Sequence, residues 1–156
     1  MIISSKGRYA LRVMLDMAQH DDGNFIALSE ISERQGISRK YLESIMVLLV
    51  KKDLVDSCHG KDGGYRLVKA PEEYTAGEIL RATDGDMTPV SCVGQEAKKC
   101  ESMDLCSIYP FWSGLTKEIN RYIDSYTLRD LAELQSKTLK TCAEIEQMRQ
   151  EKNNVG

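Results

Sequence analysis

The stretch Leu28–Val55, LSEISERQGISRKYLESIMVLLVKKDLV, decides what kind of chain this is. Its pattern predicts a short helix over about 29–35 that runs into Gly36, a connecting Ile37, and a longer helix capped by Ser38. Within the longer helix Leu42, Ile45, Met46 and Leu49 recur at helical spacing and form the stripe to be buried, which leaves Arg39, Lys40, Glu43, Ser44 and Val47 facing outward. Helix, glycine-bearing turn, helix with a polar and basic N-terminal face is the helix-turn-helix layout, whose second helix enters a DNA major groove N-terminus first. A plain helical hairpin with a solvated charged face would satisfy the same pattern.

The flanking segments weigh against the plain hairpin. In DLVDSCHGKDGGYRLV, residues 53–68, Val55 and Ser57 alternate on one strand-like run and Tyr65 and Leu67 on another, about the turn Gly60-Lys61-Asp62-Gly63-Gly64. A β-hairpin directly after a helix-turn-helix is a wing, and wings reach phosphates or the minor groove, which suits a tip carrying His59 and Lys61. Ahead of the motif, Tyr9, Ala10, Val13, Met14, Met17 and Ala18 share one face of a helix over about 6–20, with Ser4 or Ser5 as its cap and Gly23 beyond its end. Behind the wing, Thr75 and Glu78 form a capping box for a helix that stops near Gly85.

The remainder is of another kind. Residues 91–106, SCVGQEAKKCESMDLC, hold three of the chain's five cysteines, Cys92, Cys100 and Cys106, among charged and small residues that build no core. After them Ile108, Trp112, Leu115, Ile119, Tyr122 and Tyr126 fall at alternating spacings of four and three, an a/d seam, with Pro110 in the first helical turn where its missing N–H matters little. A seam that regular requires a partner helix, and a second copy of the chain is the expected one. Thr127 and Asp130 make another capping box, for a short helix with Leu128, Leu131 and Leu134, and the tail from about 136 is polar and expected to fray.

Charge divides unevenly along the chain. The net charge of −3 splits into 11 basic against 9 acidic residues up to position 70, and 10 against 15 beyond it. The first residues turn polar at Ser4, Ser5, Lys6 and Arg8 and do not read as a secretion signal, and no run of about 18 apolar residues is present to span a membrane. The expectation is a cytoplasmic chain, where thiols stay reduced and clustered cysteines serve as metal ligands or redox groups rather than as a disulfide frame. Three loop thiolates can wrap an iron-sulfur cluster and leave one coordination position to a weaker ligand. Zinc is the rival, although structural zinc sites set their first two ligands about two to four residues apart, and neither cysteine interval here does so. Cys58, on a wing strand, and Cys142, in the tail, read as packing or inert thiols.

These residues resemble the IscR/NsrR/CymR-type bacterial transcription regulators, the Rrf family. The resemblance is carried by SSKGRYALRVMLDMA, LSEISERQGISRKYLESI, the DLV before the wing, GGYRL, and the cysteine loop followed by a long helix ending in SYTLRDL, together spanning residues 2 to about 134. It implies a dimeric winged-helix protein whose long C-terminal helices pair and whose cysteine loop, in many members, binds an iron-sulfur cluster that controls DNA binding. Some members lack the cysteines; this chain has all three and looks closer to the IscR branch than to the cluster-free CymR branch. It departs from IscR in having seven residues rather than five between Cys92 and Cys100, and Tyr109 where IscR has a histidine ligand. NsrR-like members use an acidic residue near the N-terminus, and the matching position here is Arg8, so the fourth ligand stays open among Asp104, Glu101, Glu96, Tyr109 and a group from a partner subunit. At the wing, His59 stands where IscR has a minor-groove arginine.

The expected architecture is mainly α with a small β-wing: a winged helix-turn-helix domain over 1–85, a cysteine loop over 86–106, a long dimerisation helix and short helix over 107–135, and a polar tail over 136–156. Ser38, Arg39, Lys40, Tyr41, Glu43, Ser44, His59 and Lys61 are the candidate DNA contacts, and Cys92, Cys100 and Cys106 the candidate cluster ligands, with 2Fe-2S favoured over 4Fe-4S. Glu43 either accepts from a cytosine amino group or only pairs with Arg39 or Lys40. The expected function is transcription regulation on a double-stranded operator under cluster control, as a homodimer. The alternative is a cluster-free dimeric repressor governed by a partner protein or small molecule. No catalytic set of side chains or phosphate-binding loop supports an enzyme.

Overall fold

The computed structural model describes residues 3–60, 63–94, 105–138 and 140–141. Helix α1, Ser5–Gln19, begins where the Ser4 hydroxyl accepts the Gly7 N–H, 3.1 Å, one of the four N–H groups that a helix start leaves without an internal partner. Helices α2, Leu28–Gln35, and α3, Arg39–Lys51, follow, and Gly36 between them takes φ 64°, the left-handed conformation a side chain would resist. Strands β1, Val55–Cys58, and β2, Gly64–Leu67, form a two-stranded antiparallel sheet with Val55 opposite Leu67 and Ser57 opposite Tyr65. Helix α4, Ala76–Asp84, ends at Gly85, and after the cysteine loop come α5, Tyr109–Asp124, and α6 over residues 128–138. The fold is therefore mainly helical with a small wing.

One core serves the first four helices and the wing. Ala10, Val13, Met14 and Met17 of α1, Ile31 of α2, Leu42, Ile45, Met46 and Leu49 of α3, Val55 and Leu67 of the sheet, and Ile79 of α4 are all buried in it. Leu128, the first residue of α6, is fully buried in the same core, so the chain returns to it after α5. A short antiparallel bridge holds that return: Ala76 donates to the Tyr126 carbonyl, 2.8 Å, and Leu128 to the Tyr74 carbonyl, 3.1 Å.

The apolar face of α1 carries one charge. Asp16 is only 2% exposed, and it is satisfied from α2: Arg34 donates through Nε at 3.0 Å and Nη2 at 2.7 Å, and Gln35 through Nε2 at 2.9 Å. In return the carboxylate holds the Arg34 guanidinium above its ordinary pKa. Among the described residues no buried side-chain polar atom lacks a hydrogen-bond partner.

Several local expectations shift. Ser38 occupies the cap position of α3 but its side chain makes no capping bond. Thr75 caps α4 through the Glu78 N–H, 3.1 Å, yet the Glu78 carboxylate does not complete the box; it accepts from Lys69 Nζ at 2.7 Å. The Thr127–Asp130 box is reciprocal, with Asp130 Oδ2 accepting from the Thr127 N–H at 2.8 Å and Thr127 Oγ1 accepting from the Asp130 N–H at 3.1 Å. The Thr127 hydroxyl, which also donates to Asp130 Oδ2 at 2.6 Å, and then the Thr127 N–H hold the Asp130 carboxyl below its usual range. Helix α5 stops at Asp124, so Tyr126 lies beyond it and Ile108 is its cap, while α6 remains helical at residue 138, past the expected fraying point.

Removing Asp16 leaves Arg34 and Gln35 turned into a site without their acceptor. Asp16→Ala should lower unfolding stability by about 3 kcal/mol, the scale for breaking a buried pair from one side. Chemical denaturation at neutral pH checks this, and in a double-mutant cycle with Arg34→Ala the double variant should lose less stability than the two single losses summed.

Candidate functional site

The outward face of α3 is built as its pattern predicts. Ser38, Arg39, Lys40, Glu43 and Val47 are exposed, while Leu42, Ile45, Met46 and Leu49 on the opposite side are buried. Among the described residues Arg39, Lys40 and Glu43 form no ion pair, so Glu43 is not neutralised by either neighbour. Two residues of the face are partly committed. The half-buried Tyr41 sets its ring edge-on to Tyr9 of α1, 5.6 Å between centroids, and Ser44 donates its hydroxyl to the Tyr41 carbonyl at 2.7 Å, leaving only its lone pairs for a ligand. Val47 is 63% exposed one turn beyond Glu43, an apolar group in the middle of a polar face.

The wing is held at its root and along one edge. Tyr74 is fully buried, and its hydroxyl accepts from the Val68 and Lys69 N–H groups, both at 2.8 Å, while donating to the Leu54 carbonyl at 2.9 Å, where α3 leads into β1. Burial raises the Tyr74 phenol above its ordinary pKa, against the pull of the two N–H donors. Ile26 and Tyr65 exchange backbone bonds of 2.8 and 2.9 Å along the far side of β2. A Cβ on Gly64 would lie 2.2 Å from the Ile26 carbonyl oxygen, so that crossing tolerates only glycine. At the tip His59 is exposed, and Lys61 lies outside the described residues.

Of the three loop cysteines, the two described are both free, half-buried thiols beside α5. Cys92 sits in a 3-10 turn, Ser91–Val93, that packs on α5, and Cys106 stands just before that helix, its carbonyl accepting from the Tyr109 N–H at 3.2 Å. Cys100, Glu96, Glu101 and Asp104 lie outside the described residues, as does Cys142. Among the described residues no group of three or more His, Cys, Asp or Glu side chains is placed to hold a metal. Three soft thiols from one loop nevertheless suit iron in a cluster, and neither described thiol is used in a disulfide. His20 is committed at the end of α1, its Nδ1 2.7 Å from the Asp16 carbonyl, and Arg8 bonds Ser5 Oγ at 3.0 Å. Tyr109, half-buried, opens α5 at the third position after Cys106.

Helix α5 buries none of its sixteen residues. Phe111 and Tyr122 are each 63% exposed, and Ile108 and Leu115 lie on the same open surface. The seam expectation omitted Phe111; the i+3 step from Ile108 was the available signal.

The model of the family described as "Rrf2: Iron-dependent Transcriptional regulator" matches residues 3–134. The chain belongs to the Rrf2 family. Among its relatives, the HTH-type transcriptional regulators IscR of Serratia proteamaculans and Aliivibrio salmonicida are each 39% identical over 131 residues, covering 84% of this chain and 79% and 77% of theirs. Among solved structures it is similar to CymR, the global cysteine regulator of B. subtilis, with TM-score 0.69, 32% identity and coverage of 86% and 98% of the two chains. It is also similar to T. potens IscR, with TM-score 0.64, 33% identity and coverage of 85% and 87%. This Rrf2-family chain is thus a transcriptional regulator, a DNA-binding class without enzymatic activity. Among the described residues no helix is long and apolar enough to cross a membrane.

Deleting only the Tyr74 hydroxyl takes the partner from the Val68 and Lys69 N–H groups and from the Leu54 carbonyl at the root of the wing. Tyr74→Phe should cost about 1–3 kcal/mol of stability in thermal or denaturant unfolding. The raised phenol pKa adds a sign: because the neutral form is favoured in the fold, this contribution is fully present below the ordinary tyrosine pKa of 10.0 and is lost as pH rises past it.

Proposed function

We propose that the protein is a cytoplasmic, homodimeric regulator that reads a roughly palindromic double-stranded DNA operator and is switched by an iron-sulfur cluster on Cys92, Cys100 and Cys106. On this reading the cluster is 2Fe-2S, with 4Fe-4S the alternative. The observation that carries it is the setting of Cys92 and Cys106, two unpaired thiols that bracket the loop and both adjoin α5. The cluster, when bound, supplies iron whose presence follows iron supply and redox state. Its remaining coordination position falls to Tyr109, Glu96, Glu101, Asp104 or a group of the partner subunit.

The chain's own residues do the rest. The open face of α5, with Ile108, Phe111, Leu115 and Tyr122, takes a second copy, since a helix with an apolar stripe and nothing buried is incomplete alone. Arg39 and Lys40 at the start of α3 meet phosphates or guanine edges, with Ser38 and Tyr41 donating to phosphates. Glu43, unpaired in the fold, discriminates by accepting from cytosine N4, Ser44 accepts through its oxygen, and Val47 offers a methyl-sized contact for thymine. His59 and Lys61 reach the backbone or the minor groove from the wing. A cluster held by Cys92, Cys100 and Cys106 would tie both ends of the segment at α5 and favour one spacing of the two recognition helices, and its loss would release that preference.

The second reading, a cluster-free repressor controlled by a partner protein or small molecule, is favoured by the backbone likeness to CymR. Anaerobic purification separates the two. A coloured protein containing iron and sulfide, losing its absorbance and changing its operator choice in Cys92→Ala, supports the first; a colourless protein with full operator affinity supports the second. Independently, Lys40→Ala should weaken binding across operator sequences and reduce the salt-dependence slope of log affinity by about 1.

A further inference from the structure

We infer that Asn120 is the positioning residue that couples the cysteine loop to the DNA reader; this rests on the cluster-switch reading above. Its side chain joins three parts of the chain. Oδ1 accepts from Arg81 Nη1 of α4 at 3.0 Å; Nδ2 donates to the Met87 carbonyl at 3.2 Å and to the Thr116 carbonyl, one turn back on α5, at 2.9 Å. All the hydrogen-bonding directions of the amide nitrogen are thereby used, and the amide has one orientation that serves every partner.

Each partner leads to a different function. Met87 is the buried foot of the loop, 2% exposed, five residues before Cys92, so its carbonyl marks where the cysteine segment leaves the core. Arg81 belongs to α4, which packs on α1 and α3 and thus on the recognition helix. Arg81 also bonds Asp124 through Nη2, so one guanidinium grips two α5 residues one turn apart. The two helices approach closely there: a Cβ on Gly77 of α4 would lie 2.0 Å from Asp124 Oδ1 and 2.9 Å from Ile123 Cγ1. A displacement of the loop foot therefore passes through the Asn120 amide to Arg81 and reaches α4 as a change in how it is held on α5.

The test uses the full-length protein with and without its cluster and the variants Asn120→Asp and Asn120→Ala. Asn120→Asp keeps an acceptor for Arg81 and loses the donor to Met87, together with the bond to Thr116 inside α5, so of the two links between elements it cuts only the loop arm; Asn120→Ala cuts both. The expected result is unchanged cluster absorbance and dimer mass in both variants, with the ratio of operator affinities between loaded and cluster-free protein falling by about fivefold or more. Amide hydrogen exchange gives a readout without DNA. In the parent protein, cluster loading should slow exchange in residues 86–94 and in α4 together, and in Asn120→Asp only in residues 86–94. An affinity ratio retained in Asn120→Asp with its cluster intact overturns the coupling role while leaving the cluster switch standing. A parent protein whose operator affinity is the same with and without cluster overturns both.

Discussion

A carboxylate inside the core dictates how the DNA-reading motif is assembled. Asp16 lies on the buried face of α1, where an unpaired charge would be intolerable, and it takes its donors from Arg34 and Gln35 in the last turn of α2. Those two residues directly precede Gly36, so satisfying Asp16 also fixes where α2 ends and where the turn into α3 begins. Arg12 reinforces this from α1 by donating to the Gln35 carbonyl at 3.0 Å, a cation at the negative end of α2. The direction in which α3 presents Arg39, Lys40 and Glu43 follows from that anchoring together with the apolar packing of Leu42, Ile45, Met46 and Leu49.

The reader is rigid for a second reason. Its wing is fixed by backbone groups satisfied through one buried phenol and by a strand-like exchange with Ile26, rather than by the sheet's own two strands, which alone would be marginal. The same economy ends the chain: α6 starts with Leu128 in the core, and the Tyr74–Thr127 neighbourhood ties it down. Helix α5 is held by the Ser91–Val93 turn, by Arg81 of α4 at Asn120 and Asp124, and by α6 after its close, while its apolar face stays open. A helix gripped by α4 on one side and bare on its apolar face is suited to carry a change made at the loop to whatever covers it and to the domain behind it.

Much of this could be read from residue order. The stripe of α3, the φ-permissive Gly36, the two-strand wing and the Thr127–Asp130 box all depend on neighbours within a few positions, where spacing and side-chain type suffice. The capping box at Thr75 was only half legible, because Glu78 had a second candidate partner, Lys69, that the local pattern could not weigh. The same limit hid Asp16: in sequence it interrupts an apolar face, and only the approach of α2 turns it into a satisfied anchor. At the candidate site, the exposure of the α3 face was legible, whereas the commitments of Tyr41 to Tyr9 and of Ser44 to the backbone were not.

By itself, the order of residues determined the helix-turn-helix with its wing, the trio of loop cysteines and the presence of an apolar seam on α5, since each arises from periodicity or from the chemistry of short segments. Tertiary structure alone decided that Leu128 returns to the core, that Gly77 is the point where α4 and α5 meet, and that Arg81, Asn120 and Met87 converge. Those are contacts between residues tens of positions apart, and their energies depend on how separately formed helices dock, which no local pattern encodes.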